Sequence, residues 1–114
     1  MDELTQAKQL FAQSQEQFKS IGNTGGVVYS LEGLAQVAVR QHEVERAATL
    51  YAWADMMRHE MDEPRPLHEQ VIIDEDMTTI REILPEGTLQ QCLTKGRELT
   101  VDQAIHYALD KRTD

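Results

Sequence analysis

A chain of 114 residues is the size of one domain, and its 40% apolar residues supply a core without disulfides, because Cys92 is the sole cysteine. Twenty acidic against eleven basic side chains leave a formal charge of -9 with no Lys or Arg run, which argues against direct nucleic-acid binding and against attraction to an anionic membrane. No stretch approaches the roughly 20 apolar residues of a membrane span, and the acidic start Met1-Asp2-Glu3 lacks a signal-peptide core, so a cytoplasmic location is expected.

Helix formers dominate, and prolines occur only at Pro64, Pro66 and Pro85, so the chain reads as all-α with six helices. The first spans Asp2 to Ser20, with Asp2 as N-cap; Leu4, Ala7, Phe11, Phe18 and Ile21, with Ser14 in line, recur at helical spacing. The segment Gly22-Asn23-Thr24-Gly25-Gly26 breaks it. A second helix, about 25–41, carries Val28, Leu31, Leu34, Ala35 and Ala38 on its buried stripe, and Gly33 within it is accounted for by close helix approach. A third, about 43–61, ends at Asp62-Glu63-Pro64-Arg65-Pro66.

Pro66 suits the first turn of a fourth helix, whose Ile73, Met77, Ile80 and Leu84 again share a stripe, and Pro85 stops it. A short fifth helix, about 86–96, turns Leu89, Cys92 and Leu93 inward; Gly96 is read as its C-terminal stop and Cys92 as a small buried hydrophobe. Thr100-Val101-Asp102-Gln103 fits a capping box opening a sixth helix with Val101, Ala104, Ile105, Ala108 and Leu109 inward, after which Asp110 to Asp114 are expected to fray.

A recurrence links the first and third helices. Leu4, Ala7, Leu10, Phe11 and Ser14 map onto Val44, Ala47, Leu50, Tyr51 and Ala54 at an offset of forty, the kind of period that marks stacked helix pairs. Three stretches then carry a family likeness: Gly22 to Gly26 followed by Ser30-Leu31-Glu32-Gly33-Leu34-Ala35, Glu45 to Ala54, and Gly96 to Ala104. In this order they resemble the C-terminal tetratricopeptide-like tail of bacterial LuxR-type and AfsR-type signal-transduction ATPase regulators. The likeness spans about residues 4–110, with His42-Glu43 departing at one turn and Ala38 replacing a ring. It implies a right-handed α-α superhelix, one domain over 1–114 with repeat-like helices in 1–62 and capping helices in 63–114. It also implies a non-enzymatic protein-interaction module in bacterial transcriptional or signalling regulation.

In that scheme the first helix is the second half of a unit whose first helix is missing, so one face is orphaned. With Leu4, Phe11 and Phe18 packed on the second helix, Ala7, Leu10, Ser14 and Ile21 are expected to stay uncovered, either as a surface that pairs with a second copy or another protein, a homodimer being favoured, or as the seam of a longer array whose upstream helices are missing. A second expected protein-binding surface is the polar side of the second helix, Tyr29, Glu32, Gln36 and Arg40, where Glu32 would favour a basic or neutral ligand. The alternative is a small-molecule sensor with a pocket between helices two and four, lined by Tyr29, Tyr51 and Trp53.

Catalytic and metal readings fail on spacing. His59 and His68 stand nine residues apart with prolines between them, whereas a zinc-binding helix needs two histidines one turn apart. Asp74-Glu75-Asp76 lacks the looped spacing of a calcium site and reads as a solvated helix face. No catalytic residue, metal or cofactor is expected. A helix-turn-helix across Gly96 is rejected because Thr100 to Tyr107 offers no Arg or Lys to DNA.

Overall fold

The computed structural model describes residues 2–110, so the tail expected to fray lies, from Lys111 on, outside the described residues. Six helices form: α1 Glu3–Ser20, α2 Thr24–Arg40, α3 Val44–Met61, α4 Leu67–Ile83, α5 Glu86–Glu98 and α6 Val101–Leu109. No strand occurs among the described residues.

The first three helices alternate in direction through short turns built on one device. Gly22, His42 and Asp62 each adopt a positive φ, of 73°, 65° and 55°, at intervals of twenty residues. Glycine takes that conformation without a Cβ penalty, whereas histidine and aspartate pay one. Asn23 caps α2 through its side chain, which accepts from the Gly26 amide at 2.9 Å. Gly25 and Gly26, read above as part of the break, therefore lie in the first turn of α2.

Glycines set the closest contacts. Gly33 and Gly26, two turns apart on α2, each leave the space of a missing Cβ to an aromatic ring of α1, Phe11 and Phe18 respectively. Gly96 behaves likewise and corrects the expectation of a helix stop: α5 runs on to Glu98, and Gly96 is buried against the Thr49 carbonyl and the Ala52 methyl of α3. A Cβ there would collide with backbone, so glycine is demanded by the crossing rather than by a terminus.

The major helix contacts run α1 on α2, α2 on α3 and α3 on α5. The core gathers where α3 is enclosed, with Ala47, Leu50, Trp53 and Ala54 fully buried beside Val27, Val28 and Leu31 of α2. α4 lies between proline-bearing extended segments, with Pro66 and Pro85 as the residues preceding α4 and α5, and buries Ile73 and Ile80. α6 contacts α2 and α3 through Ala104, Ile105 and Ala108. Its capping box forms in both directions: the Gln103 amide donates to Thr100 Oγ1 at 3.1 Å and the Thr100 amide donates to Gln103 Oε1 at 2.9 Å.

Candidate functional site

The outer side of α1 comes first. Phe11 and Phe18 are half-buried on α2, while Leu10 is 64% and Ile21 74% exposed. Ala7, Ser14 and Leu4 are half-buried, so the open apolar surface is narrower than the sequence implied. At about 3.6 residues per turn, Gln6, Ala7, Leu10, Gln13, Ser14, Gln17 and Ile21 fall along one side of the helix, and none of them is ionisable. A groove of about 680 Å³ runs beside this helix, bounded by Thr5, Lys8, Ala12, Gln41 and Leu109. Gln15 faces the other way and is buried, which the sequence did not foretell.

The expected polar face of α2 is not a free surface. Glu32 is only 2% exposed, and its carboxylate accepts from Arg58 Nε and Nη2, each at 2.7 Å, and from Arg65 Nε at 2.5 Å. The hydrogen bonds from Arg58 to Glu32 push the Arg58 pKa up further, against the opposing effect of burial. Arg65 also reaches Asp55 at 2.5 Å, so two carboxylates and two guanidinium groups balance across α2, α3 and the turn before α4. Arg40 is engaged in the same manner: it pairs with Asp76 at 3.2 Å. Of the four residues proposed for that face, Tyr29 is 48% exposed and edge-on to Phe11, and Gln36 is half-buried. The helix face is consumed in holding α4 and its leading turn.

Asp76 corrects a second expectation. It is buried rather than solvated, and Tyr51 Oη donates to it at 2.6 Å while Arg40 neutralises it. Burial first, and then the bond to Asp76, raise the Tyr51 pKa far above the ordinary phenol range. Tyr51 and Trp53 are 1% and 0% exposed, so the cleft imagined between α2 and α4 is sealed against solvent there. Cys92 is buried as expected, and burial raises its thiol pKa, the direction of an inert rather than a reactive cysteine.

An open groove of about 660 Å³ lies elsewhere, between α3, α4 and α5. Met56, Ile73, Met77 and Leu93 supply its apolar floor, and Arg81 and Arg97 stand on its α4 and α5 walls. Nothing in the sequence grouped these residues, because they come from three helices that meet only in the fold. Among the described residues no three His, Cys, Asp or Glu side chains are placed to hold a metal ion. None of the described helices is long and apolar enough to cross a membrane. No protein-family model, no curated protein and no solved structure matches the chain.

Proposed function

We propose that the protein is a non-enzymatic interaction module that pairs with a second copy of itself through the outer side of α1. The observation that carries this reading is the combination of exposure and charge on that side: Leu10 and Ile21 are largely exposed, and the seam from Gln6 to Ile21 bears no charge in a chain of formal charge -9. Two copies of so acidic a molecule repel across most of their surface, and this stripe is where close approach costs least. A two-fold contact is self-complementary, and Leu10 and Ile21 alternate with the small Ala7 and Ser14 along it, so large side chains of one copy face small ones of the other when the helices run antiparallel.

A tetratricopeptide-like right-handed superhelix is part of the proposal. It is supported by the turns at twenty-residue intervals, by the forty-residue recurrence, and by α5 packing on α3. The resemblance to the tails of bacterial regulators supports a setting in transcriptional or signalling regulation, with a second copy or a regulatory protein as partner.

Light scattering tests the pairing. The wild type is expected at twice 13.0 kDa and Leu10→Glu at 13.0 kDa with an unchanged circular-dichroism spectrum. A monomeric wild type, or a dimer indifferent to Leu10→Glu, would sink the reading.

A further inference from the structure

α4 is inserted between two helices that pack on each other. α5 lies directly on α3, with Gly96 against the Thr49 carbonyl, so the core of α1, α2, α3, α5 and α6 closes without the segment from Asp62 to Pro85. Extended backbone at Pro66 and at Leu84-Pro85 bounds α4 on both sides.

α4 itself is sparsely held. Of its seventeen residues only Ile73, Asp76 and Ile80 are buried, whereas α3 buries an unbroken run from Ala47 to Ala54. Leu67, Val71 and Ile83 are exposed, and α4 touches α2 and α3 far less than those two helices touch each other. The open groove of about 660 Å³ runs between it, α3 and α5. Few buried apolar contacts and low local packing mark the parts of a protein that open at less than the global unfolding free energy.

What fastens the segment is polar. Arg65, in the leading turn, bonds Glu32 of α2 and Asp55 of α3, and Asp76 in mid-helix accepts from Tyr51 of α3 and Arg40 of α2. Attraction in a buried ion pair is largely offset by the desolvation of both partners, so such bonds fix position more than they add stability. Lifting the whole segment returns Arg65 and Asp76 to water and strands no charge behind it. Glu32 keeps Arg58, and the Arg40 side chain is already 47% exposed.

We propose that residues 62–85 form a strap that lifts off α2 and α3 as one unit while the other five helices stay packed, with Arg65 and Asp76 as its two fastenings. Lifting uncovers Glu32, Arg40 and Tyr51, a face that the closed fold withholds from any partner, so the strap governs access to the polar side of α2. Neither fastening involves α1, and the device is independent of pairing through that helix.

Native-state hydrogen exchange of the intact chain, followed by NMR at low urea concentrations, tests the strap. A lone helix of seventeen residues is marginal in water, so its amides exchange once it lifts. The amides of Ile73, Met77 and Ile80 are expected to exchange about tenfold or more faster than those of Leu50 and Trp53. Their exchange should also depend less steeply on urea, because lifting exposes less surface than global unfolding. The amides of Leu89 and Cys92 in α5 should follow those of α3. Arg65→Gln and Asp76→Asn are each expected to speed exchange in α4 about tenfold, and the wild-type urea series decides the matter alone if a variant fails to fold. Equal protection and equal urea slopes in α3 and α4 would overturn the strap. So would α5 opening together with α4, since the unit would then be the C-terminal half. Exchange in α4 unmoved by either substitution would overturn that residue's place as a fastening.

Discussion

α1 and α3 carry the same apolar pattern forty residues apart, yet Leu10 is 64% exposed and its counterpart Leu50 is 0%. Ala7 is half-buried where Ala47 is fully buried. The difference lies in neighbours and in what stands between the shared positions. α3 packs on α2 and on α5, and every residue from Ala47 to Ala54 is buried, the signature of a helix enclosed all round. α1 has its principal contact with α2 alone, and Lys8, Gln9 and Gln13 occupy the places of Ala48, Thr49 and Trp53. Matching stripes record a common packing face; the residues off the stripe decide whether a second face is covered.

The strongest way to break this contrast is to truncate both leucines. Leu50→Ala is expected to cost about 2–5 kcal/mol, the lost transfer energy plus the cavity left in an enclosed helix. Leu10→Ala, measured in dilute monomer by urea unfolding, should stay within about 0.5 kcal/mol of the wild type. Equal costs would mean that α1 is covered on both sides in solution.

How much of this was legible in the sequence follows from the range of each interaction. The helices, their proline boundaries and the capping box at Thr100 and Gln103 rest on contacts within a turn or two; the capping box forms as read, and the helix ends fall within a residue or two of the expected positions. Glu32 and Asp76 were misjudged because an acid on a helix reads as solvated. Their partners lie 26, 33, 25 and 36 residues away, at Arg58, Arg65, Tyr51 and Arg40, and leave no local trace. Gly96 failed for a related reason: glycine marks both helix ends and close crossings, and the Thr49 carbonyl it meets belongs to another helix. The groove holding Arg81 and Arg97 was illegible for the same cause.

A smaller effect contrasts the rings at equivalent positions, Phe11 and Tyr51. Tyr51 ionises much less readily in the fold than in the unfolded chain, because burial and the neighbouring Asp76 both disfavour the phenolate. Its raised pKa contributes stability that is intact below the unfolded value of about 10. Above that pH the unfolded chain releases the proton and the native state keeps it, so stability falls as pH rises. One such tyrosine gives a slope of about 1.4 kcal/mol per pH unit. Tyr51→Phe should remove about that much of the alkaline slope, read from urea midpoints across pH 9 to 11.5, with Tyr107, also raised by burial, retaining its own share. Phe11→Tyr should not restore it, since no acid is bonded at that ring. A slope unchanged in Tyr51→Phe would place the alkaline sensitivity elsewhere.

The smallest effect distinguishes how the two helices begin. Asp2 Oδ1 accepts from the Thr5 amide at 2.7 Å, and α1 has an acidic N-cap, whereas Glu43 makes no side-chain cap bond at the start of α3. Hydrogen bonds from the Thr5 backbone amide, the larger cause, and from the Thr5 side-chain hydroxyl hold the Asp2 pKa below its ordinary value. A depressed carboxylate stabilises the folded helix above its unfolded pKa, and that contribution is lost as pH falls through the lower folded value. The Thr5 amide shift, followed by NMR from pH 6 down to 2, should therefore inflect below about 3.9. Asp2→Asn, which also accepts from a backbone amide, should keep the cap and abolish the inflection. The first amides of α3 should show no such carboxylate-linked change. An inflection there matching that of Thr5 would show that both helices open on a side-chain acceptor in solution, erasing this last difference between them.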